Sequence, residues 1–386
     1  MTTTSPTPAP TASPAAARLQ GLASIVAGTI APAAAETDKL GRFPRAGIEA
    51  LAAGGLLGLI SDATVGGAGG GLADAAAAVR RIAQSCASTA MVLAMHYSAV
   101  AVIEQFGPVE TRRAIAAGRH LSTLAFSEAG SRSHFWAPTS SARDDGDAVR
   151  LDAAKSWVTA AAEADSYVWS SRPLAASGAS SLWLVASRAA GLTTVAPFDG
   201  LGLRGNASSP LRAEGLRIAR DALLGADGAG FDIMMGVVLP WFSVLNAAAS
   251  VGLIEGALGA ACAHVTATRY AHLDSSIADL PTVRAYLARA KIQADSAALM
   301  LDDTVAAVAA QRADAMLRVL EVKAHAGETA LAVTDTAMRV CGGAAFRKEV
   351  GVERHFRDAR AASVMAPTSD MLYDFIGKAI LGLPLF

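Results

Sequence analysis

The hydrophobic period of this chain changes twice, and that double change restricts the folds open to it. Over residues 18–118 apolar side chains recur at helical spacing in alanine-rich sequence. Gly and Pro breaks fall at Gly54-Gly55, at 66–71 and at Gly107-Pro108. Over 119–225 the texture differs: LSTLAFSE, AVRLDAAKSWVTAA, SYVWSS, SSLWLVAS and LTTVAPF are short runs rich in Val, Thr, Trp and Tyr, separated by Gly, Ser and Asp turns. That is strand-and-turn patterning. Over 226–386 the helical period returns, with a long segment at 232–270 and two amphipathic helices expected at 281–310 and 313–340. Their alanine content suits close helix approach in a four-helix bundle. The expected class is α+β: an N-terminal helical domain, a central antiparallel barrel-like β domain and a C-terminal bundle.

Composition narrows the function classes. With 386 residues and 52% hydrophobic content, the chain can bury a large core. A net charge of -1 carries no long-range field toward nucleic acid or an anionic membrane. Cys86, Cys262 and Cys341 lie far apart, without His or Cys at metal-ligand spacing, and read as reduced thiols of a cytoplasmic protein. The Thr/Pro/Ala-rich start, 1–17, reads as a disordered tail, having neither a basic nor an apolar leader segment. The stretches 82–103 and 233–254 are long enough to span a bilayer. Each carries several polar groups, among them His96 in the first and Asn246 in the second, so buried bundle helices are expected instead. The glycines at 66–71 lack the Gly-Lys-Ser/Thr ending of a phosphate loop.

The densest local signal is at 338–370, MRVCGGAAFRKEVGVERHFRDARAASVMAPTSD. A helix ends at Cys341, and Gly342-Gly343 turns the chain and leaves bare backbone for a ligand. The charged run ERHFRDAR follows, then an apolar run through Pro367 and a helix cap at Thr368-Ser369-Asp370. Upstream, Phe126-Ser127-Glu128-Ala129-Gly130-Ser131-Arg132-Ser133 and Lys155-Ser156-Trp157-Val158-Thr159 come about thirty residues apart, and Gly202-Leu203-Arg204-Gly205 and Arg269 come later. Trp157 offers a flat apolar face, and Ser127 and Thr159 offer small hydroxyl donors.

Together these segments resemble the acyl-CoA dehydrogenase superfamily over nearly the whole chain after the tail. The resemblance implies FAD, with Phe126, Ser127, Ser133, Trp157 and Thr159 around the ring. Arg269, Gly342 and Gly343 would stand at the pyrophosphate across a subunit interface, and Thr368 and Asp370, at the cap of the last helix, would also bind the cofactor. It also implies a homo-oligomer, with a tetramer expected. Arg204 reads as a structural or rim residue. The family's Ser-Asp is replaced by Ser133-His134, and its Phe-Gly after the arginine by His272-Leu273.

One departure bears on the reaction. Family members carry the α-proton base as a glutamate before Gly-Thr; here Ala366-Pro367 precedes Thr368. A minority supply it from an earlier helix, at the place of Phe242, and no Asp or Glu occurs over 233–254. The absence favours the flavin monooxygenase-like members, of dibenzothiophene monooxygenase or amino-sugar N-oxygenase type, acting with O2 on a CoA thioester or a small hydrophobic or aromatic substrate. FMN would replace FAD if a separate flavin reductase supplied reduced flavin. The alternatives are a dehydrogenase serving an electron-transfer flavoprotein with His134 or His96 as base, and a catalytically inactive flavoprotein kept for binding or assembly. Thr159 completes the candidate catalytic set.

Overall fold

The computed structural model describes residues 13–131 and 134–385. Helix α1 (Pro14–Ile25) starts inside the expected tail, because Ser13 accepts a cap bond from the Ala16 amide and Pro14 opens the first turn. It continues through a π turn (Val26–Ile30) into α2 (Ala31–Leu40). Leu22, Val26 and Ile30 recur at helical spacing and are buried on one face. Helices α3 (Arg45–Ala53), α4 (Leu72–Ala83), α5 (Ala87–Phe106) and α6 (Val109–Ala116) complete the first helical region. Two of the glycines before α4 are close-packed: a Cβ on Gly67 would lie 2.0 Å from the Ser61 carbonyl oxygen, and one on Gly70 2.7 Å from that of Leu59.

The β region holds β1 (Ser122–Ala125), β2 (Ser141–Asp145), β3 (Ala148–Val158), β4 (Ser166–Ser171), β5 (Ser181–Ala186), β6 (Leu192–Thr194), β7 (Ser209–Ala219) and β8 (Leu223–Leu224). They form two four-stranded sheets, ordered β1-β4-β5-β8 and β2-β3-β7-β6. The expectation of an antiparallel domain fails at one pair, since β1 runs parallel to β4. Between those strands the chain makes the β2–β3 hairpin of the other sheet, a connection long enough to bring β4 back alongside β1. The charged sequence of β2 hides a strand from a hydrophobic-period reading; it pairs antiparallel with β3 along the solvated end of its sheet.

A short helical turn, α7 (Gly230–Ile233), leads through a π turn (Met234–Val238) into α8 (Leu239–Ala267). A small hairpin, β9 (Arg269–Tyr270) with β10 (Ser275–Ser276), precedes α9 (Pro281–Ala309) and α10 (Ala315–Cys341). Then come α11 (Val352–Val364) and α12 (Ser369–Ile380). The two stretches long enough for a membrane are α5 and the α7–α8 rod, and most of each is buried inside the fold. Gly252 and Gly256 on α8 are close-approach positions, where a Cβ would meet the Arg80 and Gln84 carbonyl oxygens at 2.1 and 2.3 Å. One continuous core joins the first helices, the sheets and the bundle.

Candidate flavin and substrate cleft

A cleft of about 680 Å³ opens where the β region meets the C-terminal helices. Its first wall is the end of β1 with the bulged end of β3. The β3–β7 ladder loses register between Lys155 and Val158, which turns Trp157 out at φ +57. Trp157 is 70% exposed at the mouth and meets the Phe198 ring edge-on, with centroids 6.5 Å apart. Thr159 lies inside, buried, with its hydroxyl 3.1 Å from that of Ser208. Backbone bonds from Ala160 to the Asn206 carbonyl (2.9 Å) and from Ala161 to the Ala207 carbonyl (3.1 Å) fasten this bulge to the next loop.

That loop, 198–208, forms the second wall. The Leu203 amide donates to Asp358 on α11 at 2.6 Å. Burial pushes the Asp358 carboxyl up to about 6, against that bond. Arg357, one residue earlier, forks to Asp38 at 2.5 Å and Glu353 at 2.7 Å, tying α11 to α2. A Cβ on Gly202 would lie 2.4 Å from the Arg357 carbonyl oxygen, so only glycine allows this approach. Arg204 donates to the Asp38 carbonyl at 3.0 Å and serves as a brace.

The third wall joins Val238 of the π turn and Leu239 and Phe242 of α8 to Val364 at the end of α11 and to Met365 and Ala366 just beyond it. Behind it stands Lys323, which no sequence motif singles out. This α10 residue is 1% exposed, and its ammonium donates to the carbonyls of Ala362 (3.3 Å), Met365 (3.0 Å) and Pro367 (2.7 Å). It caps the C-terminus of α11, where free carbonyls and the helix dipole favour a cation. Burial pulls its amine down to about 7. The single hint was a lysine on the buried face of an amphipathic helix, a pattern shared by many lysines whose heads reach water.

Glu128 is the one carboxylate among the described residues lining the cleft. Its Oε1 accepts from Lys155 at 2.6 Å, while Oε2 accepts from the Thr139 and Ser140 amides at 2.6 and 3.0 Å and from the Thr139 hydroxyl. Burial opposes its charge, but Lys155 and these donors hold the carboxyl below its usual range. Lys155 also donates to the Ser170 carbonyl at 2.7 Å. The motif pair around Ser127 and Trp157 is therefore locked together by a buried ion pair.

The structure gathers Phe126, Ser127, Trp157 and Thr159 around the cleft. Phe126 stacks on Phe135, also a wall residue, at 6.5 Å and 9°. Ser133 lies outside the described residues. His134 is exposed and packs edge-on against Trp136 at 5.2 Å, and it does not line the cleft. His96 must be withdrawn as a candidate base. It is fully buried on α5, with Nε2 3.0 Å from the Leu57 carbonyl and Nδ1 accepting from the Ser122 amide at 3.1 Å. Both nitrogens are engaged in bracing, and burial lowers its pKa to about 4. Arg269, Gly342 and Gly343 are exposed and outside the cleft of this chain. Arg269 pairs with Asp274 at 2.6 Å, and Gly342 holds φ +55 with open space where a Cβ would stand. Thr368 caps α12 by accepting from the Met371 amide at 3.4 Å, and Asp370 is exposed in its first turn, so both serve the helix here.

A flavin suits these residues: an aromatic face at the mouth, hydroxyls at Ser127, Thr159 and Ser208 inside, and walls that are largely apolar apart from Glu128, Asn206, Arg357 and Arg360. Helical, β and helical domains enclosing such a cleft define a flavoprotein oxidoreductase class. The chain belongs to the acyl-CoA dehydrogenase family. Family models match its N-terminal domain at 17–118, its middle domain at 123–216 and its C-terminal domain at 228–381. The mitochondrial short-chain specific acyl-CoA dehydrogenase of Bos taurus is 32% identical over 354 residues, covering 88% of this chain and 83% of the relative. Among solved structures, butyryl-CoA dehydrogenase from Megasphaera elsdenii superposes with a TM-score of 0.89 at 21% identity, covering 97% of this chain and 100% of that one. TdsC from Paenibacillus sp. A11-2, solved with FMN and indole, gives 0.85 at 22%, covering 95% and 98%. At those identities the two structures establish shared fold alone.

Proposed function

We propose that this protein is an FAD-dependent oxidoreductase that uses O2, acting on a CoA thioester or a small hydrophobic or aromatic molecule. The supporting observation is the state of the cleft's carboxylate. Among the described lining residues only Glu128 is acidic, and Lys155, Thr139 and Ser140 occupy its oxygens. A group so held is a poor base, since taking a proton would break its ion pair. Bound flavin supplies two-electron redox chemistry. The chain's own residues would hold it: Trp157 would cover a ring face, Thr159 and Ser127 would offer hydroxyls to its edge, and the apolar wall at Phe242, Met365 and Ala366 would exclude water beside the substrate. FMN fills the same role if a reductase delivers reduced flavin.

The second reading, α,β-dehydrogenation with electrons passed to an electron-transfer flavoprotein, is favoured by the 32% identity to a short-chain acyl-CoA dehydrogenase. Both readings expect a homo-oligomer, a tetramer by family habit, with Arg269 and Gly342-Gly343 facing a neighbour's cofactor. Exposed Phe346, Ile380 and Leu381, at 82%, 68% and 72%, are consistent with such an assembly. Stopped-flow mixing decides between the two. Chemically reduced holoprotein should reoxidise rapidly in O2 with ligand present, while oxidised holoprotein should not be bleached by an acyl-CoA panel under anaerobic conditions. Rapid bleaching with slow reoxidation would establish the dehydrogenase instead.

A further inference from the structure

Behind the third wall lies a polar pair that the proposed chemistry leaves unused. Asn246 follows Phe242 by one turn of α8 and is 1% exposed. Its Nδ2 donates to the Met365 sulfur at 3.3 Å, a weak acceptor, and its Oδ1 has no hydrogen-bond partner among the described residues. Ser243, three residues earlier and fully buried, has a hydroxyl in the same state. Residues three apart share a helix face. Leaving such groups unpaired is costly, and native structures keep few of them without a role. The side chain over Asn246 belongs to Met365, which itself lines the cleft. Methionine is unbranched and conformationally adaptable, so it can yield to a ligand without movement of the helices.

We propose that Met365 covers a polar subsite, formed by the Asn246 carboxamide with the Ser243 hydroxyl. This subsite selects ligands whose far end carries a neutral hydrogen-bonding group, a hydroxyl or a primary amide, over plain hydrocarbon. Either group can donate to Oδ1, and an amide can also accept from Nδ2, replacing the thioether contact. A carboxylate end is a poorer match to Oδ1, because an ionised carboxylate only accepts hydrogen bonds and would set two acceptor oxygens face to face. The inference rests on reading the cleft as the substrate site.

Anaerobic titration of the holoprotein, followed by flavin absorbance, with butyryl-CoA and 4-hydroxybutyryl-CoA tests it. The hydroxyl-ended thioester should bind up to about tenfold more tightly, the span of one net hydrogen bond. Asn246→Leu should abolish that ratio at unchanged flavin content. Met365→Ala, which leaves the amide in place, should strengthen binding of the hydroxyl-ended ligand and serves if the leucine variant does not fold. A wild type indifferent to the end group, or Asn246→Leu keeping the preference, overturns the subsite. If neither thioester binds, the CoA-ester reading of function fails separately. Holoprotein crystals soaked in propanamide then decide: an amide bonded to Asn246 with Met365 displaced upholds the subsite, and an undisturbed Met365 overturns it.

Discussion

Lys155 in the β region and Lys323 in the C-terminal bundle are each 1% exposed, yet only one faces a carboxylate. Lys155 meets Glu128 at 2.6 Å, so two charges are buried as a pair and tie two sequence-distant segments beside the cleft. Lys323 donates to three carbonyls at the end of α11 and lies 5.9 Å from the centre of the Phe242 ring. Burial lowers both amines, with Glu128 opposing the shift in the first case and no countercharge opposing it in the second. The consequence for chemistry is the same on both walls. The carboxylate that is present is committed, and the place where the family carries another holds Ala366.

Breaking the pair should have the largest effect. Glu128→Ala strands a buried ammonium and should destabilise the protein by about 3–5 kcal/mol, read from urea unfolding. The double change Glu128→Leu with Lys155→Met should recover most of that loss, since a buried pair replaced by packed hydrocarbon is often close to neutral. A single variant costing no more than the double would show that the pair is not coupled in the way its geometry implies.

Lys323→Met should cost less, about 1–3 kcal/mol, as carbonyls lose their donor while the burden of a buried charge is removed. Its pH signature is more diagnostic. The folded-state pKa of about 7 lies below the ordinary value of about 10.4, so the unfolded chain binds more protons between the two. The contribution of Lys323 to stability therefore rises with pH from about 7 and levels off above about 10.4, the unfolded value. The methionine variant should lose that slope in denaturation curves taken across the window. A slope that survives would assign it to another group.

The smallest effect is expected from making the second region resemble the first. Ala366→Glu sets a carboxylate near Lys323 on a half-buried wall and should change stability by only about 0–1 kcal/mol. It should raise the Lys323 pKa and narrow its pH window. If the cleft accepts a CoA thioester, the variant should also gain slow anaerobic bleaching that wild type lacks. Bleaching by wild type at the same rate would mean that another group already acts as the base.

The order of helical, β and helical regions was legible because hydrophobic period follows directly from backbone geometry, 3.6 residues in a helix and 2 in a strand. The cleft-lining segments were legible for a similar reason, since Phe126, Ser127, Trp157 and Thr159 lie in short local motifs. The parallel pairing of β1 with β4 was not legible, because register depends on the partner strand and no local pattern records it. His96 misled for a related reason: an imidazole in a sequence carries no sign of whether its nitrogens will meet a substrate or, as here, Leu57 and Ser122.

By itself, then, the sequence determined the class of the chain and the absence of a glutamate at 366 and 242, both properties of single positions or short windows. Only the tertiary structure decided what fills the consequences of that absence. It took the burial of Glu128 against Lys155, Lys323 beneath the Met365–Pro367 turn, and Asn246 under Met365, contacts between residues from 27 to 119 positions apart. Desolvation and hydrogen-bond satisfaction depend on what surrounds a group in space, and chain neighbours do not specify that.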